Sequence, residues 1–163
     1  MAFVLWQLAG CVVPPPEPGE EAVNLPPVIH WDLATPSDYR LALFDGSIPQ
    51  LDFSIEGAVF DPEGDDLDYL WFVWTNNDER IPQFGKTGMS LFPCDSAKLE
   101  EASWVSVMVA VSDRPLTFDN LEDDSNALPV KAQPIDGETE EEAQNRIAIR
   151  SWFFDVANPP VCL

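Results

Sequence analysis

Period-two alternation of apolar and polar side chains recurs along this chain and constrains its fold more than any other feature. In residues 104–112, WVSVMVAVS, four valines occupy every second position, and residues 51–60, LDFSIEGAVF, alternate in the same way. A strand places successive side chains on opposite faces, so this spacing predicts half-buried antiparallel strands. Sixteen prolines among 163 residues argue against long helices and suit short strands joined by proline-containing loops.

Further segments extend this prediction to a two-layer fold. Residues 67–74, LDYLWFVW, are apolar on both faces, which predicts a central strand that is covered on each side. Trp71 and Tyr69 share one face of this strand and are expected in the structural core, where Trp71 would provide a bulky contact between two sheets. Residues 89–92, MSLF, and 147–156, IAIRSWFFDV, are predicted as further strands. Short strands separated by turns are typical of an all-β sandwich.

Three pieces of the chain occur in the order found in a known group of modules. Residues 60–71, FDPEGDDLDYLW, resemble the hairpin of PKD-like and cadherin-like immunoglobulin-fold domains. Residues 24–29, NLPPVI, are similar to the first strand of these domains, and residues 107–113, VMVAVSD, to their penultimate strand. The resemblance implies an immunoglobulin-like antiparallel β-sandwich domain over residues 24–163.

A long acidic insertion, residues 113–146, interrupts the predicted sandwich. A connection of this length is unusual in a compact domain, and we expect most of it to be a solvated, mobile loop. Its last part, residues 138–146 with the sequence ETEEEAQNR, is predicted to form one or two helical turns, because acidic residues at the N-terminal end suit the helix dipole.

The chain opens with MAFVLWQLAGCVVPPPEPGEE, in which an uncharged apolar run meets a cysteine and then a proline-rich acidic stretch. The run is too short to span a bilayer and has the length of a signal-peptide core. Residues 8–11, LAGC, resemble the lipobox of bacterial lipoproteins. That resemblance implies a signal peptide at residues 1–10, acylation of Cys11, and a disordered tether at residues 11–23. The alternative is a buried first strand with an incidental cysteine.

The lipoprotein resemblance also implies a location, a membrane partner and a redox state. Val12 is not the aspartate that retains some lipoproteins at the inner membrane, so the resemblance implies a lipid anchor in the outer membrane. Thiols pair in the oxidising compartment of an exported protein. With Cys11 acylated, Cys94 and Cys162 are expected to form a disulfide, and two free thiols are the alternative.

The charge balance excludes several classes of partner. The chain has 29 acidic and 8 basic residues, a net charge of −21. Phosphates of nucleic acids and anionic lipid headgroups would repel such a chain, so we expect no nucleic-acid partner. His30 is the only histidine, and the sequence motifs of hydrolases, metalloproteases and nucleotide-binding enzymes do not occur. The sequence therefore predicts a protein that is not an enzyme and holds no organic cofactor.

Calcium is the one metal that the sequence suggests, because carboxylates cluster in a turn and at the end of a strand. Calcium takes roughly six to eight oxygen ligands, although the spacing here is not that of an EF-hand. The candidate ligands are Asp61, Glu63, Asp65, Asp66 and Asp113. In the alternative interpretation, Asp61 caps the backbone of an ordinary turn and Gly64 takes a positive φ.

Taken together, these features favour a lipoprotein of the cell envelope whose immunoglobulin-like module has a non-catalytic binding or structural role. A calcium-dependent adhesion module is one alternative. Another is a polysaccharide-binding accessory domain of a hydrolase complex, in which exposed aromatic residues such as Phe72 or Trp74 line the binding face. Burial of these two side chains under the tether or the insertion is the competing explanation. The sequence does not identify the protein or glycan partner.

Overall fold

The computed structural model describes residues 24–37, 44–45, 50–76, 80–84, 87–92, 102–119 and 129–158. The predicted signal peptide and tether lie outside these residues, and so do Cys11, Cys94 and Cys162. Lipidation and the disulfide therefore stay predictions.

Strands dominate the described part of the chain, which confirms the predicted all-β class. The strands are β1 (Val28–Ile29), β2 (Phe44–Asp45), β3 (Leu51–Ser54), β4 (Val59–Phe60), β5 (Asp68–Thr75), β6 (Arg80–Phe84), β7 (Gly88–Leu91), β8 (Trp104–Ser112), β9 (Leu116–Phe118), β10 (Val130–Ala132) and β11 (Ala148–Asn158). One short helix, α1, spans Glu140–Gln144.

The largest sheet has five strands in the order β2, β11, β8, β5, β6. Its neighbouring strands run antiparallel, except for β2 and β11, which run parallel. Three two-stranded antiparallel sheets accompany it and pair β1 with β4, β3 with β7, and β9 with β10. An isolated antiparallel bridge joins Thr35 to Ser54 at the end of β3.

The main hydrophobic core lies between one face of the five-stranded sheet and the strands β1, β3, β4 and β7. All four valines of β8 are buried in this core, as the alternation predicts. Trp71 of β5 is buried beside them, and Tyr69 is partly buried against the same cluster. Phe53 of β3 packs edge-on against Trp152 of β11, with ring centroids 5.2 Å apart. Each large apolar side chain buried in this way contributes about 2 kcal/mol.

The acidic insertion covers the opposite face of the five-stranded sheet. Leu70 and Phe72 of β5 are fully buried in a second hydrophobic cluster on this face. The insertion supplies the side chains Leu116, Val130, Ala132 and Ala143 to that cluster. Phe72 therefore lies on no open face, and Trp74 is only partly buried at the margin of the cluster. The apolar residues on both faces of β5 are thus explained, because one face packs in the main core and the other packs against the insertion.

The prediction that most of the insertion is a mobile loop is wrong for residues 113–119 and 129–146. In these residues β9 and β10 form a hairpin ladder, with Leu116 opposite Ala132 and Phe118 opposite Val130. Apolar side chains at every second position give the ladder one face that packs on the sheet, although acidic residues dominate the segment as a whole.

The helical turn predicted near the end of the insertion is confirmed. Thr139 is the N-cap of α1: its hydroxyl accepts a hydrogen bond from the backbone nitrogen of Glu142, and the Glu142 carboxylate accepts one from the backbone nitrogen of Thr139. This capping box satisfies backbone donors that a helix start leaves free. Ala143 is the buried residue of α1 and packs in the second cluster.

Residues 51–60 form two strands instead of the single strand predicted. The turn between β3 and β4 contains Gly57 at a φ of 72°, a conformation that favours glycine. Its ends are held by hydrogen bonds from the backbone nitrogen of Ala58 to the carbonyl of Ile55, and from the nitrogen of Ile55 to the carbonyl of Thr87. The period-two alternation is interrupted at this turn, because the buried side chains Ile55 and Ala58 are three positions apart.

Candidate binding site

Four side chains form a column that runs from the main core to the surface, and we call them the Trp31 stack. Trp71 and Trp152 lie parallel, with ring centroids 5.8 Å apart and an interplanar angle of 12°. The guanidinium carbon of Arg150 lies 5.1 Å from the Trp152 ring centroid and 4.1 Å from that of Trp31. Trp31 forms the outer end of the column. An arginine thus separates a buried indole from an exposed one.

Arg150 is buried within this column, with 1% of its surface exposed. Its Nη2 donates a hydrogen bond of 3.0 Å to the carbonyl of Ser37, while its Nε is buried and has no hydrogen-bond partner. Burial lowers the pKa of Arg150, because removal from water disfavours the charged form. A desolvated cation beside aromatic faces gains about 2 kcal/mol per contact, so the two indoles offset part of the desolvation cost.

Hydrogen bonds hold the segment that carries Trp31 both before and after that residue in the sequence. The backbone nitrogen of His30 donates to the carbonyl of Ala58 at 2.7 Å, and the nitrogen of Leu33 donates to the carbonyl of His30 at 3.2 Å. Further along, Trp152 Nε1 donates to the carbonyl of Pro36 at 2.7 Å. Trp31 itself is 54% exposed. It therefore combines a fixed position with an open surface.

The sequence analysis does not identify Arg150, although a signal for it exists. Residues 148–158 alternate as a strand, which places Arg150 on the same face as Trp152 and Phe154. Those two side chains are buried in the main core, so the pattern shows one charged residue on an inward face. A buried charge without a neighbouring partner in the sequence marks a position with a special contact. Arg150 makes that contact with Trp31, and only the tertiary structure shows that these two residues lie together.

A second polar arrangement joins the insertion to the end of β8, and we call it the ion-pair cluster. Glu138 accepts hydrogen bonds of 2.9 Å from Arg114 Nε and of 2.9 Å from Arg146 Nε. Asp113 Oδ2 lies 3.1 Å from Arg114 Nη1 and 3.5 Å from Arg146 Nη1. Asn24 completes the cluster by donating from Nδ2 to Asp113 Oδ2 at 2.8 Å. The side chains of Asp113, Arg114 and Glu138 are almost wholly buried.

The electrostatics of the cluster are those of a structural ion-pair network. The hydrogen bond from Arg114 is the main reason that the pKa of Glu138 lies below its usual value, and the same bond raises the pKa of Arg114. An open cavity of about 270 Å³ lies beside the cluster and is lined in part by Arg114, Arg146 and Glu138. Both guanidinium groups already pair with carboxylates, which leaves little positive charge for an anionic ligand.

The candidate calcium ligands are distributed over two different structures. Asp61 Oδ1 accepts hydrogen bonds from the backbone nitrogens of Glu63, Gly64 and Asp65, at 3.1, 2.7 and 2.9 Å. Gly64 has a φ of 77°, so this turn has the capped geometry of the alternative interpretation. Asp66 is exposed in the same turn, and Asp113 belongs to the ion-pair cluster. Among the described residues, no group of three or more His, Cys, Asp or Glu side chains converges as metal ligands.

Comparison with known proteins gives no family assignment. No protein-family model matches the chain, and searches of curated proteins and of solved structures give no match either.

Two further sequence predictions can be placed on the structure. His30 is exposed directly beside Trp31, and no carboxylate or thiol cluster forms around it within the described ranges. In the part of the chain that the structure describes, no helix has the length and apolar character needed to cross a bilayer.

Trp31 is the clearest candidate for contact with a partner, because it is exposed and Arg150 lies against its ring.

Proposed function

We propose that this chain is a non-catalytic binding or structural module of the cell envelope, anchored by lipid at Cys11 and built on an immunoglobulin-like β-sandwich. The observation that carries the binding role is Trp31, an exposed indole held from beneath by a buried arginine. Monomeric proteins bury most of their large aromatic surface, and exposed aromatic residues in fixed positions favour recognition.

The strand pairing supports the immunoglobulin-like part of the proposal. In that fold, one sheet contains the first, second, fourth and fifth strands of the sandwich, and the other contains the third, sixth and seventh. Here β1 pairs with β4 and β3 with β7 in two separate two-stranded sheets, while β5, β8 and β11 are neighbours in the five-stranded sheet. The insertion between β8 and β11 and the additional edge strands β2 and β6 are elaborations of that arrangement.

The envelope location is supported by the residues that precede the domain. The LAGC sequence at 8–11 provides the thiol that lipoprotein processing acylates, and residues 11–23 are rich in proline. Acyl chains contribute about 0.8 kcal/mol per buried methylene, so several chains on Cys11 give stable attachment to a membrane. Export would also place Cys94 and Cys162 in an oxidising compartment, where a disulfide between them is favoured.

Intact mass spectrometry tests the anchor. When the full chain is produced in a bacterium that processes lipoproteins, we expect the membrane fraction to contain a product that begins at an acylated Cys11. The mass without reductant should be two hydrogens lower than the mass after reduction, because Cys94 and Cys162 are paired. The control variant Cys11→Ser should remain uncleaved and unacylated. A wild-type product that retains an unmodified Met1 would contradict the proposal.

Calcium-dependent adhesion remains a second candidate because three buried oxygens lack hydrogen-bond donors. They are Asn24 Oδ1, Asp61 Oδ2 and Asp113 Oδ1. Buried polar atoms normally have partners, and a bound cation would supply one. Against this, Asp113 already contacts two guanidinium groups, which repel a cation. We therefore favour the module without calcium.

Thermal unfolding with calcium or with a chelator separates these candidates. We expect the same Tm in millimolar calcium and in EDTA, because Arg114 and Arg146 neutralise Asp113. The matched variant is Asp61→Asn, which keeps the Oδ1 acceptor for the turn but removes the charge. A calcium-dependent rise in Tm that this variant loses would establish the second candidate instead.

A further inference from the structure

The outer face of Trp31 is open, whereas its inner face is occupied. Arg150 lies 4.1 Å from the centroid of the indole on the inner side, and Trp31 is still 54% exposed. By contrast, Trp71 and Trp152 at the inner end of the Trp31 stack are fully buried. More than half of the surface of Trp31 is therefore accessible to a partner although Arg150 lies against the ring.

The position of Trp31 is fixed before any partner arrives. The hydrogen bonds of His30 and Leu33 hold the turn, and the guanidinium beneath the ring restricts its tilt. Ordering a side chain on binding costs free energy, and a side chain that is already held in place avoids most of that cost. A preorganised aromatic surface is the type of site that binds a rigid ligand face.

The aromatic face itself suits an uncharged ligand better than an ionic one. The net charge of −21 repels polyanions, although it attracts cations over the same distance. The Arg150 guanidinium already lies over the Trp31 ring, so the ring offers a second cation little cation–π attraction and the two charges repel each other. A neutral ligand avoids both repulsions. His30 and Asp32 are exposed on either side of Trp31 and offer a donor and acceptors for hydroxyl groups.

From these observations we infer that Trp31 is a platform on which a sugar ring of a neutral polysaccharide stacks, while His30 and Asp32 bind its hydroxyl groups. A pyranose ring presents apolar C–H groups on its face and hydroxyl groups at its rim, which matches an aromatic plane with polar neighbours. This inference rests on the proposed binding role and names its ligand class. It places the binding face on residues 30–32, away from Trp74.

Affinity gel electrophoresis of the full chain tests the inference. The gel would contain a soluble neutral polysaccharide, and the probes are β-glucan, xylan and galactomannan in turn. We expect at least one probe to retard the wild-type chain, and Trp31→Ala to weaken that retardation at least tenfold. Trp31→Tyr should retain part of it, because a smaller aromatic face remains.

Leu33→Ala is the matched control, since Leu33 is 56% exposed in the same turn but is not part of the Trp31 stack. It should leave retardation unchanged. Loss of retardation in both variants would show a general apolar surface for a protein partner, and retardation by no probe would also overturn the inference. Circular dichroism of each variant shows whether it is folded. Because the assay does not depend on acylation, its failure is distinct from failure of the anchor, which intact mass tests.

Discussion

Replacement of Trp152 by alanine is expected to lower the free energy of unfolding by about 4 kcal/mol. The side chain is fully buried and lies against Phe53, Trp71 and Arg150 at once. Its removal leaves a large cavity between the two layers and deprives the Arg150 guanidinium of one of its aromatic neighbours. It also removes the hydrogen bond to the carbonyl of Pro36. Urea denaturation, analysed at constant m-value, measures the loss.

Phe153→Ala is the control for this change. Phe153 is the next residue of β11, points to the opposite face and is 44% exposed, with Trp104 as its stacking partner. Phe153→Ala should lower the free energy of unfolding by only about 1 kcal/mol. If Trp152→Ala does not fold, Trp152→Phe gives a smaller cavity and an expected loss of about 2 kcal/mol. Equal losses for Trp152→Ala and Phe153→Ala would show that the Trp31 stack is not a central part of the core.

The second large effect is expected at Glu138, where glutamine should lower the free energy of unfolding by about 3 kcal/mol at pH 7. The substitution keeps the size of the side chain but removes one of the two carboxylates that Arg114 and Arg146 share, which leaves Asp113 alone. One carboxylate cannot balance two guanidinium groups, and an uncompensated buried charge is costly. Chemical denaturation of the two proteins gives the difference.

The dependence of this difference on pH identifies its cause. Because the pKa of Glu138 is lower in the folded protein than in the unfolded chain, its stabilisation is complete above the unfolded pKa of about 4.3. It is lost as pH falls through the lower, folded value. The gap between wild type and Glu138→Gln should therefore be full at pH 7 and should narrow as pH falls below about 4.3 and through the lower, folded pKa. The control Glu141→Gln changes an exposed residue and should show little effect at either pH. A gap that stayed constant with pH would contradict an ionic origin.

The strands that the sequence predicts best are those whose side chains alternate over many residues. The strand predicted at residues 104–112 agrees with β8 at both ends, and the apolar pattern of 67–74 correctly implies a strand covered on both faces. In contrast, β6 contains Pro82 at its centre and has no clear alternation, so no pattern indicates it. Its position at the edge of the sheet explains why proline is tolerated.

The insertion and the candidate site were harder to predict, because both depend on contacts between distant parts of the chain. Charged residues separate the four buried apolar side chains of residues 113–146, so their role becomes visible only where they pack with Leu70 and Phe72 of β5. The contact of Trp31 with Arg150 joins residues that are far apart in the sequence, and no local rule pairs them. Local patterns can mark Arg150 as unusual, but only the tertiary fold shows its partner.

The burial or pairing of three arginines also changes the charge balance of the rest of the chain. Of eight lysines and arginines in the chain, Arg150 is buried and Arg114 and Arg146 pair with Asp113 and Glu138, which leaves five basic and 27 acidic residues in the remaining sequence. The remaining residues therefore carry a larger acidic excess than the full composition. Approach of any acidic macromolecule should accelerate as ionic strength rises, because counter-ions shorten the range of the repulsion. We therefore expect acidic macromolecules to bind this protein only at raised ionic strength or through an uncharged contact surface.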